Sequence, residues 1–202
     1  MTSIASVTLE APDPTTASQF YEDAFGLGDR VAVRAGDDPT SGFRAYTLSL
    51  VVPQPSSVDS FLGTAVDAGA TVLRPAAKSM WGYGGVVQAP DGAIWKAATP
   101  SKKEKGRPVR DIDELVLLIG ASDVGATKDF YVDHGLEVER SFGKKYVEFK
   151  AGEGNVKLGL YGRKALAKDA GVPKEGDGSH RLAINSDAGT FTDPDGFVWE
   201  TA

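Results

Sequence analysis

Cysteine is absent from this sequence of 202 residues. Its absence excludes disulfide bonds, thiolate zinc centres, iron–sulfur clusters and a cysteine nucleophile. Long apolar runs are absent as well: the longest, from Leu115 to Ala121, is far shorter than the roughly 20 residues that a membrane-spanning helix requires. The first residues show no basic segment followed by an apolar one, so we expect no secretory signal. Together these absences predict a cytoplasmic protein with no membrane partner.

Positive charge is scarce and unevenly placed. Lys and Arg number 22 against 28 Asp and Glu, which gives a net charge of −6. Residues 1–100 and residues 111–202 are both acidic, whereas residues 101–110 are strongly basic. Acidic halves lack the excess of positive charge that is typical of a nucleic-acid-binding domain, and no aromatic residue is interleaved with the basic run. We therefore expect no nucleic-acid partner, and we interpret residues 101–110 as a basic linker.

The two halves of the chain share a repeated pattern. Each half contains an aspartate after an apolar run, then a Phe-Tyr pair, then a glycine, and finally an Asp-Gly turn before a tryptophan. These landmarks are Asp13, Phe20, Tyr21, Gly26 and Trp95 in the first half and Asp123, Phe130, Tyr131, Gly135 and Trp199 in the second half. The repeat predicts two homologous domains, at residues 1–100 and 111–202.

Each landmark has a structural meaning. Asp13 and Asp123 are suited to cap the first helix of a unit, with Pro14 at the first helical position of the first copy. Gly26 and Gly135 are typical of helix C-termini. An Asp-Gly turn precedes each final strand, and the tryptophans on these strands are predicted to lie in the core.

The halves differ in the middle. The first half contains a second helix from about Ser57, followed by further strands. In the second half Lys164 to Ala170 forms a short helix, and residues 180–184 form a strand. No helix equivalent to residues 57–69 fits between that strand and the final turn. The second domain is therefore abbreviated, with its second helix missing.

The chain resembles a known superfamily at both ends of the repeat. The opening of strand, aspartate-capped helix, Phe-Tyr and Gly-Leu, and the closing Asp-Pro-Asp-Gly-x-x-Trp-Glu at Asp193 to Glu200, resemble the vicinal oxygen chelate superfamily. This group includes glyoxalase I, bleomycin-resistance proteins and extradiol dioxygenases. The resemblance implies an α+β fold of two tandem glyoxalase-like domains, built from βαβββ-type units with curved, cup-forming mixed sheets. It also implies a monomer with an internal pseudo-twofold, or a homodimer.

The resemblance places metal ligands on the first, fifth and last strands of a cup, and a catalytic ion needs about three of them. In the first domain the matching positions hold Ser6, then Tyr46 or Thr47, and finally Lys96. These side chains do not form a metal-ligand set, and Lys96 would place a cation where the metal ion should lie. We expect no metal in the first cup.

The second domain comes nearer to a ligand set. His180 and Glu200 match the fifth-strand and last-strand positions, whereas the first strand offers Val116, with Glu114 two residues upstream. We expect no metal cofactor here either, and we expect Glu200 to form an ion pair, with Arg181 or a lysine as its partner. A divalent ion held by His180, Glu200 and Glu114 is the alternative.

Aromatic side chains are the predicted ligand contacts. Two of them lie in a Gly-rich segment that borders the cup in the superfamily, where a large ring is suited to a pocket wall. The other four lie on strands and face either the cup or the helices. The predicted ligand-binding residues are Trp81, Tyr83, Phe43, Tyr46, Tyr146 and Tyr161.

The sequence thus predicts a protein that binds a small organic molecule in a cup-shaped apolar site, without a complete metal triad and without assigned catalytic residues. One alternative is a metal-dependent lyase or dioxygenase that uses His180 and Glu200. A second alternative is an accessory protein–protein module with degenerate cups. Metal analysis separates the first alternative from the others, and a ligand-induced rise in melting temperature identifies a binding protein, since binding to the native state stabilises it.

Overall fold

A computed structural model describes residues 2–202 of the chain. The first half contains strands β1 (Ile4–Ala11), β2 (Val31–Ala35), β3 (Thr40–Gly42), β4 (Tyr46–Val51), β5 (Thr71–Ser79), β6 (Gly82–Gln88) and β7 (Ile94–Thr99), helices α1 (Pro14–Ala24) and α2 (Pro55–Asp67), and a 3-10 turn (Gly28–Arg30). The second half contains strands β8 (Glu114–Ala121), β9 (Val138–Ser141), β10 (Tyr146–Phe149), β11 (Val156–Gly162), β12 (Gly176–Gly178), β13 (Leu182–Ser186), β14 (Phe191–Thr192) and β15 (Val198–Thr201), and helices α3 (Val124–Asp133) and α4 (Arg163–Ala170). The predicted α+β class is confirmed. None of the helices within residues 2–202 is long and apolar enough to cross a membrane.

Both predicted helix starts are confirmed. The Asp13 carboxylate accepts a hydrogen bond from the Thr16 amide at 3.1 Å, and Asp123 accepts one from the Ala126 amide at 3.2 Å. Pro14 lies in the first turn of α1. Each cap satisfies an amide that would otherwise lack a partner at the start of a helix. The two aspartates therefore begin equivalent β–α units, as the repeat predicts.

One eight-stranded cup is assembled from both halves of the chain. β4, α2, β5, β6 and β7 form one complete βαβββ unit, and β8, α3, β9, β10 and β11 form another. Their first strands pair antiparallel, from Tyr46 opposite Ile119 to Val51 opposite Glu114. The resulting strand order is β9-β10-β11-β8-β4-β7-β6-β5. We call this assembly the complete cup.

The remaining large-sheet strands form a shorter section, which we call the partial cup. β1 and β2 of the first half lie beside β13, β15 and β14 of the second half, in the order β2-β1-β13-β15-β14. The described residues between β13 and β14 contain no helix. Each cup thus takes one unit from each half of the chain. In each cup the first strands of the two units pair with each other, β4 with β8 and β1 with β13, so neither strand is left with an unpaired edge at that junction.

The basic segment at residues 101–110 is held against the first half. The Gln54 side chain donates a hydrogen bond to the carbonyl oxygen of Arg107 at 2.6 Å. The Glu104 carboxylate accepts one from the Ser56 amide, at the start of α2, at 3.1 Å. Arg110 donates to the carbonyl oxygen of Ala24, at the end of α1, at 2.7 Å. The division into residues 1–100, 101–110 and 111–202 stays a prediction.

Two separate groups of apolar side chains form the interior. The main core lies between the large sheet and helices α1, α2 and α3, and it contains Trp95 and Trp199, which are 1% and 0% exposed. Their predicted core position is confirmed. A second, smaller core contains Leu166 of α4 with Val116 and Leu118 of β8. The short helix that the sequence predicts before Gly171 is confirmed as α4. This helix packs on the sheet face opposite the main core.

A tyrosine in each half ties the first helix of that half to the turn before its final strand. The Tyr21 hydroxyl donates to Asp91 at 2.6 Å, and the Tyr131 hydroxyl donates to Asp193. Tyr131 and Asp193 are both buried, and this burial raises the pKa of each group above its ordinary value. The two ties use different positions of the repeat, since the sequence equivalent of Asp91 is Asp195.

We expect Tyr131→Phe to lower the free energy of unfolding by about 1–3 kcal/mol at pH 7, because the buried Asp193 carboxylate loses its hydroxyl donor. The hydrogen bond from Tyr131 lowers the pKa of Asp193, so its removal raises that pKa further. The loss in free energy of unfolding is present above the folded-state pKa of Asp193, where the carboxylate is ionised, and it disappears as the pH falls through that pKa. Urea denaturation between pH 4 and pH 7 measures both effects. Tyr21→Phe is the matched control with a smaller expected loss, since Asp91 is only half-buried, and equal losses at every pH would contradict the assignment.

Candidate ligand-binding cup

Helix α4 lies against the concave face of the complete cup. Its side chains Leu166, Ala167 and Ala170 are buried, and they belong to the same apolar group as Val116 and Leu118 of β8. The helix presents mostly small side chains to the sheet, so its backbone lies close to the strands. α4 therefore fills part of the concavity that the two complete units create.

A glycine on β8 permits this close approach at the start of the helix. A Cβ atom on Gly120 would lie 3.0 Å from the Cα atom of Arg163 and 3.2 Å from the carbonyl oxygen of Ala45. Both distances are tighter than ordinary van der Waals contact. A side chain at position 120 would therefore push α4 away from the sheet.

Charged side chains hold both ends of α4. At its start the Arg163 guanidinium donates to the carbonyl oxygens of Phe43 and Gly176 at 2.9 and 2.8 Å. Near its end the Asp169 carboxylate lies 2.8 Å from the ammonium group of Lys96 on β7. α4 follows β11 of one complete unit, and these contacts connect it to the other unit, at Phe43, which precedes β4, and at β7.

A cavity of about 930 Å³ occupies the part of the complete cup that α4 leaves open. Val51 of β4, Val86 of β6 and Ala98 of β7 contribute apolar wall. Lys96 and Asp169 contribute polar groups at the boundary with α4. A concave, largely apolar surface with a few polar groups is typical of a site for a small organic molecule.

Three of the six predicted aromatic residues border this cavity, Trp81, Tyr83 and Tyr146, although the ring of Tyr83 packs against the main core. Trp81 lies at the turn between β5 and β6 and is 84% exposed, so its ring is accessible to a ligand. The Tyr146 hydroxyl donates to Glu148 at 3.2 Å. The Tyr83 hydroxyl donates to Asp59 of α2 at 2.7 Å, and this hydrogen bond raises the pKa of Tyr83 to about 12. Its polar end is thus already engaged by α2.

The other three predicted aromatic residues do not line the cavity. The ring of Tyr161 packs beside that of Tyr146, with centroids 4.7 Å apart. Phe43 is buried in the second core with α4, and Tyr46 is buried in the main core on the other side of the sheet. The structure therefore does not bring all six residues together. Ligand contact by any of them stays a prediction.

The centre of the complete cup does not fit a divalent metal ion. Its four central strands bring Ser49, Lys96, Val116 and Lys157 into register with one another. Valine has no ligand atom, and the two ammonium groups repel a metal cation. Within residues 2–202, no group of three or more His, Asp or Glu side chains is placed to hold a metal ion.

Glu114, the predicted first-strand ligand, belongs to a cluster of ion pairs. The Lys157 ammonium lies 3.8 Å from Glu114 and 2.9 Å from Glu139, and it also pairs with Glu148. Burial by itself would lower the pKa of Lys157, but the hydrogen bonds to Glu148 and Glu139 outweigh burial and raise it. The positive charge that these carboxylates surround is thus a lysine of the chain itself.

Glu200 lies in the partial cup and is paired with an arginine. Its two carboxylate oxygens accept hydrogen bonds from Nη1 of Arg34 at 2.8 and 2.9 Å, and Arg34 also donates to Glu10 at 2.7 Å. The hydrogen bond to Glu10, followed by that to Glu200, raises the pKa of Arg34. The predicted ion pair of Glu200 is confirmed, but its partner comes from the first half of the chain rather than being Arg181 or a lysine.

Both ring nitrogens of His180 contact backbone carbonyl oxygens. The histidine precedes β13, which starts two residues later than predicted, because Arg181 adopts a left-handed backbone with φ of 52°. The Nδ1 atom of His180 lies 2.7 Å from the carbonyl oxygen of Arg44, and Nε2 lies 3.0 Å from that of Asp195. The structure therefore does not assemble the alternative set of His180, Glu200 and Glu114.

Comparisons with known proteins identify the fold. No family model matches the sequence, and no curated protein matches it. Glyoxalase I from Zea mays matches with a TM-score of 0.62 and 14% sequence identity, over 98% of this chain and 91% of that chain. A structure from Bacillus subtilis named "putative dioxygenase" matches with a TM-score of 0.54 and 13% identity, over 91% of this chain and 69% of that chain. These matches confirm the glyoxalase-like fold that the resemblance implies.

Proposed function

We propose that the protein binds a small organic molecule in the open part of the complete cup, and that it does so without a metal ion. The observation that carries this proposal is the cavity of about 930 Å³ on the concave side of the sheet. Its apolar wall provides area for hydrophobic contact, and Trp81 at the β5–β6 turn provides an accessible aromatic ring. A ligand that covered the exposed ring of Trp81 would remove its apolar surface from water, and this burial would favour binding.

A metal-dependent lyase or dioxygenase is the second candidate, and the likeness of the fold to glyoxalase I favours it. The lysines at the centre of the complete cup and the pairing of Glu200 with Arg34 argue against it. We expect elemental analysis of protein purified without a chelator or a metal-affinity tag to find less than a tenth of an equivalent of nickel, zinc, iron or manganese. Stoichiometric metal that is lost in His180→Ala would overturn the proposal in favour of the enzyme.

Replacing Trp81 with alanine should weaken ligand binding while leaving the fold intact. We expect a loss of less than about 1 kcal/mol in the free energy of unfolding, because exposed side chains contribute little to stability. Binding of the neutral aromatic probe N-phenyl-1-naphthylamine, measured by its fluorescence, should weaken about fivefold or more. This loss corresponds to about 1 kcal/mol of aromatic contact.

Met80→Ala is the matched control for this experiment. Met80 lies in the same turn and is 80% exposed, but it does not line the cavity. We expect this variant to bind the probe as the unmodified protein does. Equal weakening in both variants, or no binding by the unmodified protein, would contradict the proposed site and favour an accessory protein–protein module.

A further inference from the structure

The charged side chains that line the open cavity are mainly cationic, although the whole chain carries a net charge of −6. Arg74, Lys78 and Lys96 line it, whereas Asp169 is the one acidic side chain in the described lining. Cations gathered in a concave site with low-dielectric walls attract anions more strongly than the same cations on a flat surface. The cavity therefore has the opposite charge balance to the protein that surrounds it.

Lys96 is the least exposed of these three cations. It lies on β7 between Trp95 and Ala97 of the main core, and its side chain is 28% exposed. Its partner Asp169 is 46% exposed. Exposed ion pairs contribute little net free energy, so an incoming anion can take the place of Asp169 beside the ammonium group at small cost.

Arg74 adds donors at the same boundary. Its Nη1 atom donates to the carbonyl oxygens of Lys168 and Asp169 at 3.0 and 3.3 Å, at the end of α4. Within the described chain, its Nε and Nη2 atoms make no hydrogen bond, and Lys78 makes no ion pair. These groups are therefore available to an acceptor that enters the cavity.

We infer that the ligand is an amphipathic organic anion, with a carboxylate, sulfonate or phosphate group beside Lys96 and an apolar body against Val51, Val86 and Ala98. This inference rests on the proposed function and names the class of its ligand. The arrangement supplies both parts of such a molecule with a complementary surface. The ammonium group of Lys96, on β7, would form an ion pair with the anionic oxygen atoms of the ligand.

The test compares two probes that differ by one charge. N-phenyl-1-naphthylamine is neutral, and 1-anilinonaphthalene-8-sulfonate carries the same rings with a sulfonate group. We expect the sulfonate to bind about tenfold more tightly at low salt, and we expect 0.5 M NaCl to remove most of this difference. Fluorescence titration with each probe, on protein whose thermal unfolding is cooperative, gives both dissociation constants.

Variants then assign the preference to Lys96. Lys96→Met should weaken binding of the sulfonate about tenfold and leave binding of the neutral probe unchanged, and Asp169→Asn should tighten binding of the sulfonate. Lys128→Met is the matched control, because Lys128 also pairs with an aspartate, Asp129, but lies on α3 outside the cup. If Lys96→Met fails to fold, Asp169→Asn alone decides the matter, since its effect has the opposite sign.

The outcomes separate this inference from the proposed function. Equal affinity for both probes, lost together in Trp81→Ala, would keep the binding site and overturn the preference for an anion. A preference for the sulfonate that survives Lys96→Met and is unchanged in Asp169→Asn would also overturn the inference. Failure of both probes to bind would overturn the proposed function itself.

Discussion

Leu166→Ala is expected to lower the free energy of unfolding by about 2–5 kcal/mol, the range for a buried leucine whose removal leaves a cavity. Leu166 is 0% exposed in α4, between the helix and the concave face of the complete cup. The sheet beneath it is rigid, because its strands are paired on both sides, so the space left by the side chain cannot collapse fully. Urea denaturation followed by circular dichroism measures the change.

Lys164→Ala is the control for Leu166→Ala. It shortens a side chain on the same helix, but Lys164 is exposed, so we expect a change within about 0.5 kcal/mol. A loss below about 1 kcal/mol for Leu166→Ala would show that α4 is held mainly by its terminal contacts, such as those of Arg163 and Asp169.

Trp199→Ala is expected to destabilise the protein by about 3–5 kcal/mol, because a large ring is removed from a site with no exposed surface. Trp199 packs against Tyr131 and Phe191, with ring centroids 5.1 and 5.2 Å away. Trp95 is its counterpart in the first half, and Trp95→Ala should cost a similar amount. Trp81→Ala, by contrast, removes a ring of the same size from an exposed turn.

The contrast among the three tryptophans is itself the control. All three substitutions remove the same number of atoms, so differences among their effects report burial rather than chemistry. Chemical denaturation with an intact folded baseline gives each free energy of unfolding. A cost for Trp199→Ala as small as that for Trp81→Ala would mean that the partial cup contributes little to the folded state.

Features that depend on neighbouring residues could be predicted from the sequence. Asp13 and Asp123 start helices because a carboxylate three residues before a free amide can cap it wherever the helix lies. The burial of Trp95 and Trp199 follows from their position after a tight turn, within an apolar strand. The short helix before Gly171 also follows from local signals, since a glycine in a left-handed conformation ends it.

Features that depend on residues distant in the sequence could not be predicted. Alternation along β4 predicts two faces, but it does not say that Tyr46 faces the main core. Arg34 and Glu200 are 166 residues apart in the sequence, and nothing in the segment around either residue indicates the other. The apolar residues after His180 predict a strand that begins at the histidine, whereas the left-handed backbone at Arg181 places His180 in the segment before β13.

The repeat and the residues that cap and anchor each unit follow from the sequence, because these features rest on interactions that span a few positions. The α+β class and the cup-forming sheet are what the resemblance carried by the same motifs implies. Only the folded chain shows that each cup takes one unit from each half, that α4 fills part of the complete cup, and that Lys96 and Lys157 lie at its centre. These outcomes depend on which strand edges pair and which faces pack. Both are settled by the burial of surface contributed from the whole chain, which no local pattern records.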